Sequence, residues 1–133
     1  MSAPTLKPKG PANASIVIVS EFATADDLWK GYPMAGNAGN LFAGCLQEAG
    51  IASTECYFTA VLKYRPAGDS CDRLYSTKKS DAAKYGLTST LNGVWITPAA
   101  VEAIVALRNE IAAINPQVVV AVGDFSMFAL ASV

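Results

Sequence analysis

Three short runs of apolar, largely β-branched residues constrain this chain more than any other feature: Ser15-Ile-Val-Ile-Val-Ser20, Cys56-Tyr-Phe-Thr-Ala-Val-Leu-Lys-Tyr64 and Gln117-Val-Val-Val-Ala-Val-Gly123. Runs of this length without polar alternation are expected as strands buried on both faces. Helical patterns separate them. From Asn37 to Ala49, Leu41, Phe42, Cys45, Leu46 and Ala49 share one face, and Gly50 ends the helix. Thr97 and Pro98 give a cap and first-turn signal for a helix carrying Val101, Ile104, Val105, Ile111 and Ile114 up to Asn115-Pro116. Asp124 is expected to cap a last helix that starts at Phe125. Buried strands alternating with helices imply right-handed crossovers. The expected fold class is therefore α/β, a three-layer sandwich with a central, mainly parallel sheet.

At 133 residues and 52% hydrophobic content, one core is expected. Residues 1–14, with Lys7 and Lys9 among Pro4, Pro8, Gly10 and Pro11, read as a flexible N-terminal tail, and 15–133 as the α/β domain. Within that domain, 21–36 reads as a loop with one helical turn near Asp26 to Trp29, and 70–93 as an irregular excursion with at most short helices. Mean hydropathy is +0.30, yet no apolar run approaches the roughly 18 residues of a membrane span, and no signal peptide is evident. No membrane association is expected, and the expected location is cytoplasmic. Three cysteines without a CxxC pair indicate neither a disulfide framework nor a metal site, so no metal and no cofactor are expected. Histidine is absent, which excludes Ser-His and Cys-His nucleophile systems and imidazole zinc sites.

Ligands of open α/β sheets bind outside the carboxyl ends of the strands. Glu21 stands at the first such end, placed for a general base or water-positioning role, or alternatively as a capping or solvated carboxylate. Gly36-Asn37-Ala38-Gly39 precedes a helix with backbone N–H groups free for a phosphate or polar ligand, although tight packing also selects glycine. Lys63 and Arg65 close the second strand, as phosphate ligands or as a solvated basic edge. They open the segment Lys63 to Lys84, which also holds Arg73, Lys78 and Lys79 and is net +3 in a chain of net −1. Nucleic-acid contact would therefore have to be local. Trp29, Tyr32, Tyr57, Phe58 and Tyr64 offer faces for base stacking or for ordinary packing, and Cys45 reads as a small core residue.

The order of these elements resembles a known family. Ile16-Val-Ile-Val-Ser-Glu-Phe22, Asp26-Asp27, Gly31-Tyr-Pro-Met-Ala-Gly-Asn-Ala-Gly-Asn-Leu-Phe42, Gly50-Ile51, Tyr57-Phe-Thr-Ala-Val-Leu-Lys-Tyr-Arg-Pro66 and Ile114-Asn-Pro-Gln-Val-Val-Val-Ala-Val-Gly123 are together similar to the uracil-DNA glycosylase superfamily. The nearest resemblance is to its family 4, iron–sulfur type, and to phage relatives encoded with or attached to DNA polymerases. It leaves 70–93 unmatched.

The resemblance implies that Glu21 handles the attacking water or the sugar cation. It implies a base pocket at Phe22, Met34, Ala60 and Tyr64, with Met34 in place of the stacking aromatic residue. Ala60 stands where the family reads uracil with asparagine, and Tyr64 replaces a cluster cysteine. Ser20, Phe22, Ala23 and Thr24 replace the family's glycine and Pro-Gly elements, and its late histidine segment and final strand have no counterpart before Val133. Gly36, Asn37, Gly39, Lys63, Arg65, Lys78 and Lys79 are the candidate DNA-backbone contacts. The resemblance thus implies a phage-type domain of DNA repair or replication with weak or no base excision, located in the bacterial host cell if phage-encoded. The alternatives are a non-catalytic DNA- or polymerase-binding module, or one part of a split glycosylase. A protein partner, or self-association, is expected along strand 117–123 and helix 124–133.

Overall fold

The computed structural model describes residues 4–91 and 93–132. In chain order they form β1 (Ile16–Phe22), α1 (Ala25–Lys30), α2 (Asn37–Glu48), β2 (Cys56–Leu62), β3 (Tyr75–Ser76), α3 (Lys79–Tyr85), β4 (Ser89–Leu91), β5 (Val94–Ile96), α4 (Pro98–Ile114), β6 (Val118–Ala121) and α5 (Asp124–Ala131). The central sheet has the order β2-β1-β6, and both pairings are parallel: Ile16 lies opposite Cys56 on one side and Val118 on the other. Alternation along β1 sends Val17 and Val19 into the core shared with Ile104, Leu107 and Phe125 of α4 and α5. Ile18 goes to the opposite core, with Leu46 of α2. The result is the expected three-layer α/β arrangement.

Local chemistry explains the helix ends. The Thr97 hydroxyl accepts from the Ala100 N–H at 3.2 Å, and Pro98 occupies the first turn. Past α2 the Ile51 N–H returns to the Leu46 carbonyl and the Gly50 N–H to Gln47, with Gly50 at φ 76°, a Schellman closure that suits glycine. The last helix differs from expectation. Its N-cap is Gly123, Asp124 is its first residue, and no cap-residue side chain bonds its amides.

Other sequence expectations are corrected by tertiary context. Leu41 and Cys45 on α2 and Val105 on α4 are exposed, because only the stripes through Leu46 and Ile104 meet the sheet. Cys45 is thus not a core residue. The third strand is not buried on both faces: β6 is paired on one side only among the described residues, and Val118 is 50% exposed. Part of the tail expected to be flexible is docked. The Leu6 N–H donates to the Lys63 carbonyl at 2.6 Å, Lys9 exchanges backbone bonds with Phe58 at 2.7 and 3.0 Å, and the Leu6 side chain is buried. The excursion 70–93 contributes β3, α3 and β4, and with β5, which directly follows it, the strands form a second antiparallel sheet of order β3-β5-β4, each too short to show a period in the sequence.

Candidate functional site

The carboxyl ends of β1 and β6 open onto a cavity of about 370 Å³ lined by Glu21, Phe22, Met34, Gly36, Asn37 and Gly39, with Asp26 and Gly123. Six of the sequence candidates therefore meet in one place. The loop that carries Met34 is organised by Asp27, which is buried. One Asp27 oxygen accepts from the Ala35 N–H at 2.8 Å, while the Thr24 hydroxyl accepts from the Asp27 N–H at 3.1 Å in a capping box. Asp27 was missed as a site organiser, although Thr24-x-x-Asp27 is the sequence signature of that box.

Met34 has φ 55°, a conformation seldom adopted outside glycine and asparagine. Its carbonyl sits against Gly39, where a β-carbon would collide with the oxygen. Gly39 thus lets the start of α2 approach the loop closely, and Gly36 starts the helix beside the cavity with no side-chain cap for its first amides.

Glu21 is half-buried, and its Oε2 accepts a 2.8 Å hydrogen bond from the Phe125 N–H in the first turn of α5. The carboxylate therefore does in this structure what the blander sequence reading allowed: it caps a helix, from another element. It also lines the cavity and a second, more polar hollow of about 470 Å³ with Asp69, Ser70, Cys71, Asp72, Tyr75 and Asp124. Burial, then the charges of Glu21 and Asp72, push the Cys71 thiol up to about 12. Burial and the same carboxylates also raise the Tyr75 hydroxyl. Both groups therefore stay protonated beside Glu21 at neutral pH.

The remaining candidates lie elsewhere. Ala60 is fully buried with Leu6 and Ala23 and does not line the cavity. Tyr64 packs on the α4 side core, where burial raises its hydroxyl pKa. Lys63 Nζ donates to Glu110 Oε1 at 2.9 Å and to the Ala60 carbonyl at 2.5 Å. Glu110 also accepts from the Tyr57 and Thr59 hydroxyls at 2.7 and 2.8 Å, so Lys63 belongs to a structural network. Burial, then the bond to Glu110, keeps Tyr57 protonated. Arg65 forks onto Asp69 at 2.5 and 2.6 Å, and the guanidinium bond holds the Asp69 carboxyl below its ordinary range. Lys78 and Lys79 are exposed at the start of α3. Near them, Arg73 and Lys84 lie 5.7 and 5.2 Å from the Tyr85 ring centre.

Among the described residues no three His, Cys, Asp or Glu side chains converge as metal ligands. Cys45 is exposed on α2 while Cys56 and Cys71 are buried apart from it, and Tyr64 brings no thiolate, so the donor set does not fit an iron–sulfur cluster. No described helix is long and apolar enough to cross a membrane.

A family model described as the uracil DNA glycosylase superfamily matches residues 7–132. No curated protein matches the chain.

Proposed function

This chain belongs to the uracil DNA glycosylase superfamily, and we propose that it is a DNA-contacting domain whose strand-end cavity receives a base extruded from the stack. The observation that carries this reading is the convergence of Glu21, Phe22, Met34 and the amide-bearing Gly36–Gly39 turn on one cavity. Phe22 and Met34 supply apolar surface for the base, and the start of α2 offers amides to a phosphate. The Glu21 carboxylate stabilises a cationic sugar or orients the attacking water.

Excision of uracil by this chain is weak. Ala60 provides no hydrogen bond to a base edge and is buried away from the cavity, and the 133 residues contain no histidine to meet the leaving base. The resemblance to phage relatives supports a place in DNA repair or replication. The cationic surface for the backbone is Arg73, Lys78, Lys79 and Lys84, since Lys63 and Arg65 are paired within the chain. A protein partner or second copy would add along β6, where Val118 and Val119 are exposed.

Single-turnover incubation with a uracil-containing oligonucleotide tests the reading. Slow formation of abasic sites, abolished by Glu21→Gln, is the expected result. DNA binding with no excision above the Glu21→Gln background would favour the second reading, a non-catalytic accessory module, which the burial of Ala60 supports. Absence of both binding and excision would overturn both readings.

A further inference from the structure

Glu21 is held in place by a position that lies 102 residues later in the chain. Gly123 has φ 100° and ψ 159°, a region of backbone space open essentially only to glycine. A β-carbon there would lie 2.5 Å from Glu21 Cδ, 2.6 Å from Cγ and 2.7 Å from Oε1, closer than carbon atoms approach one another. The Glu21 side chain therefore rests in the space that a side chain at 123 would fill. Behind that space, the Phe125 N–H grips Oε2 at 2.8 Å, at the positive end of the α5 dipole. Among the described residues Oε1 makes no hydrogen bond, so one oxygen is anchored while the other lies unpaired beside Gly123, in the wall of the cavity that both residues line.

We propose that Gly123 is a positioning residue: its bare backbone and the Phe125 amide form a seat that sets the direction in which Glu21 presents its free oxygen to the cavity. This deepens the glycosylase reading and rests on it for any effect on base excision, but the seat itself is a property of the folded chain. The neighbouring titratable groups are Asp69, Cys71, Asp72 and Tyr75 from the segment after β2, Asp124 on α5, and Asp26 and Asp27 on α1. None of the hydrogen bonds to these groups holds Glu21, so the seat alone fixes its orientation among the described residues.

The test tracks the Phe125 amide resonance and the Glu21 side-chain carboxyl carbon by NMR in the whole chain during an acid titration. In the wild type the two resonances are expected to move together, because the amide donates to that carboxylate. Gly123→Ala should uncouple them while the amides of α4 keep their positions. Glu21→Asp, one methylene shorter and with Gly123 intact, should also uncouple them and reports on the seat if Gly123→Ala does not fold. In the excision assay, Gly123→Ala should lower the single-turnover rate at saturating DNA at least tenfold, with the DNA concentration for half-saturation unchanged. Coupled titration retained in Gly123→Ala, or in Glu21→Asp where Gly123→Ala does not fold, would overturn the seat, and an excision rate unaltered by Gly123→Ala would overturn its part in base excision. A wild-type chain with coupled titration but no excision would leave the seat standing and refute the glycosylase reading.

Discussion

Glu21, the last-but-one residue of β1, and Phe125, in the first turn of α5, are joined by a hydrogen bond of 2.8 Å across a separation of 104 residues. The bond ties the carboxyl end of the central strand to the start of a helix that has no cap-residue side chain of its own. One carboxylate thereby serves two purposes: it satisfies a helix amide and it borders the cavity. Removing it has consequences for the fold as well as for chemistry.

Glu21→Ala should lower stability by about 1 kcal/mol, the usual cost of losing an N-terminal cap. Glu21→Gln keeps an acceptor oxygen for the Phe125 N–H and should cost less. Urea denaturation of the two variants separates the capping role from the chemical one, and equal losses would contradict it.

Gly39→Ala should destabilise by about 1–3 kcal/mol through overpacking, because the new methyl group meets the Met34 carbonyl with no flexible side chain to yield. Gly44→Ala on the same helix, where a β-carbon would meet open space, should be neutral or slightly stabilising. Thermal melts of the pair decide whether the approach of α2 to the Met34 loop is as tight as described.

One thiol should react quickly with an aromatic disulfide reagent in the native protein, and it should be Cys45, with Cys56 and Cys71 reacting only on unfolding. The Cys71 thiol also links stability to pH. The folded chain keeps its proton up to about 12, whereas the unfolded chain releases it near the ordinary 9.0. The stabilisation is complete below about pH 9 and is lost as pH rises toward 12, so denaturation midpoints should fall across that window. Cys71→Ala should make the fall shallower.

Reversing Lys78 and Lys79 to glutamate should weaken DNA binding across all sequences and reduce the slope of log affinity against log salt by roughly one for each phosphate no longer neutralised. Lys63→Ala should instead lower stability, because it leaves the Glu110 carboxylate without its ion-pair partner. A filter-binding salt series on both variants checks the division between surface and structural cations.

Leu6→Ala should cost about 2–5 kcal/mol, since Leu6 fills the space against Ala60 and Ala23. A cost near zero, read from urea denaturation, would show that residues 4–9 do not dock on β2 in solution.

Local chemistry carried most of the fold in the sequence. Thr97-Pro98, Gly50 and the β-branched runs act within a few residues of where they stand, and the helices and central strands track them closely. The site was legible as far as Glu21, Phe22, Met34 and the Gly36–Gly39 turn, all of which meet at the cavity. What escaped depends on distant partners. Lys63 looked free because Glu110 lies 47 residues away, Cys45 looked buried because its helix face is wider than the strip that meets the sheet, and nothing near Leu6 signals the hydrophobic niche at Ala60. Gly123 carries only a turn signal in the sequence. Its collision with Glu21 exists only once two strand ends are side by side.

The two margins of the central sheet differ in valence. Along β2 the Leu6 and Lys9 amides already donate to the Lys63 and Phe58 carbonyls and the Lys9 carbonyl accepts from Phe58, while along β6 the outward groups have no partner among the described residues. Among the described residues, only the β6 margin is left open to a further strand. Two copies meeting β6 to β6 about a two-fold axis would leave both sealed margins outermost, with nothing further to template. Association of that kind would end at a pair, with the docked N-terminal segment outermost on each copy.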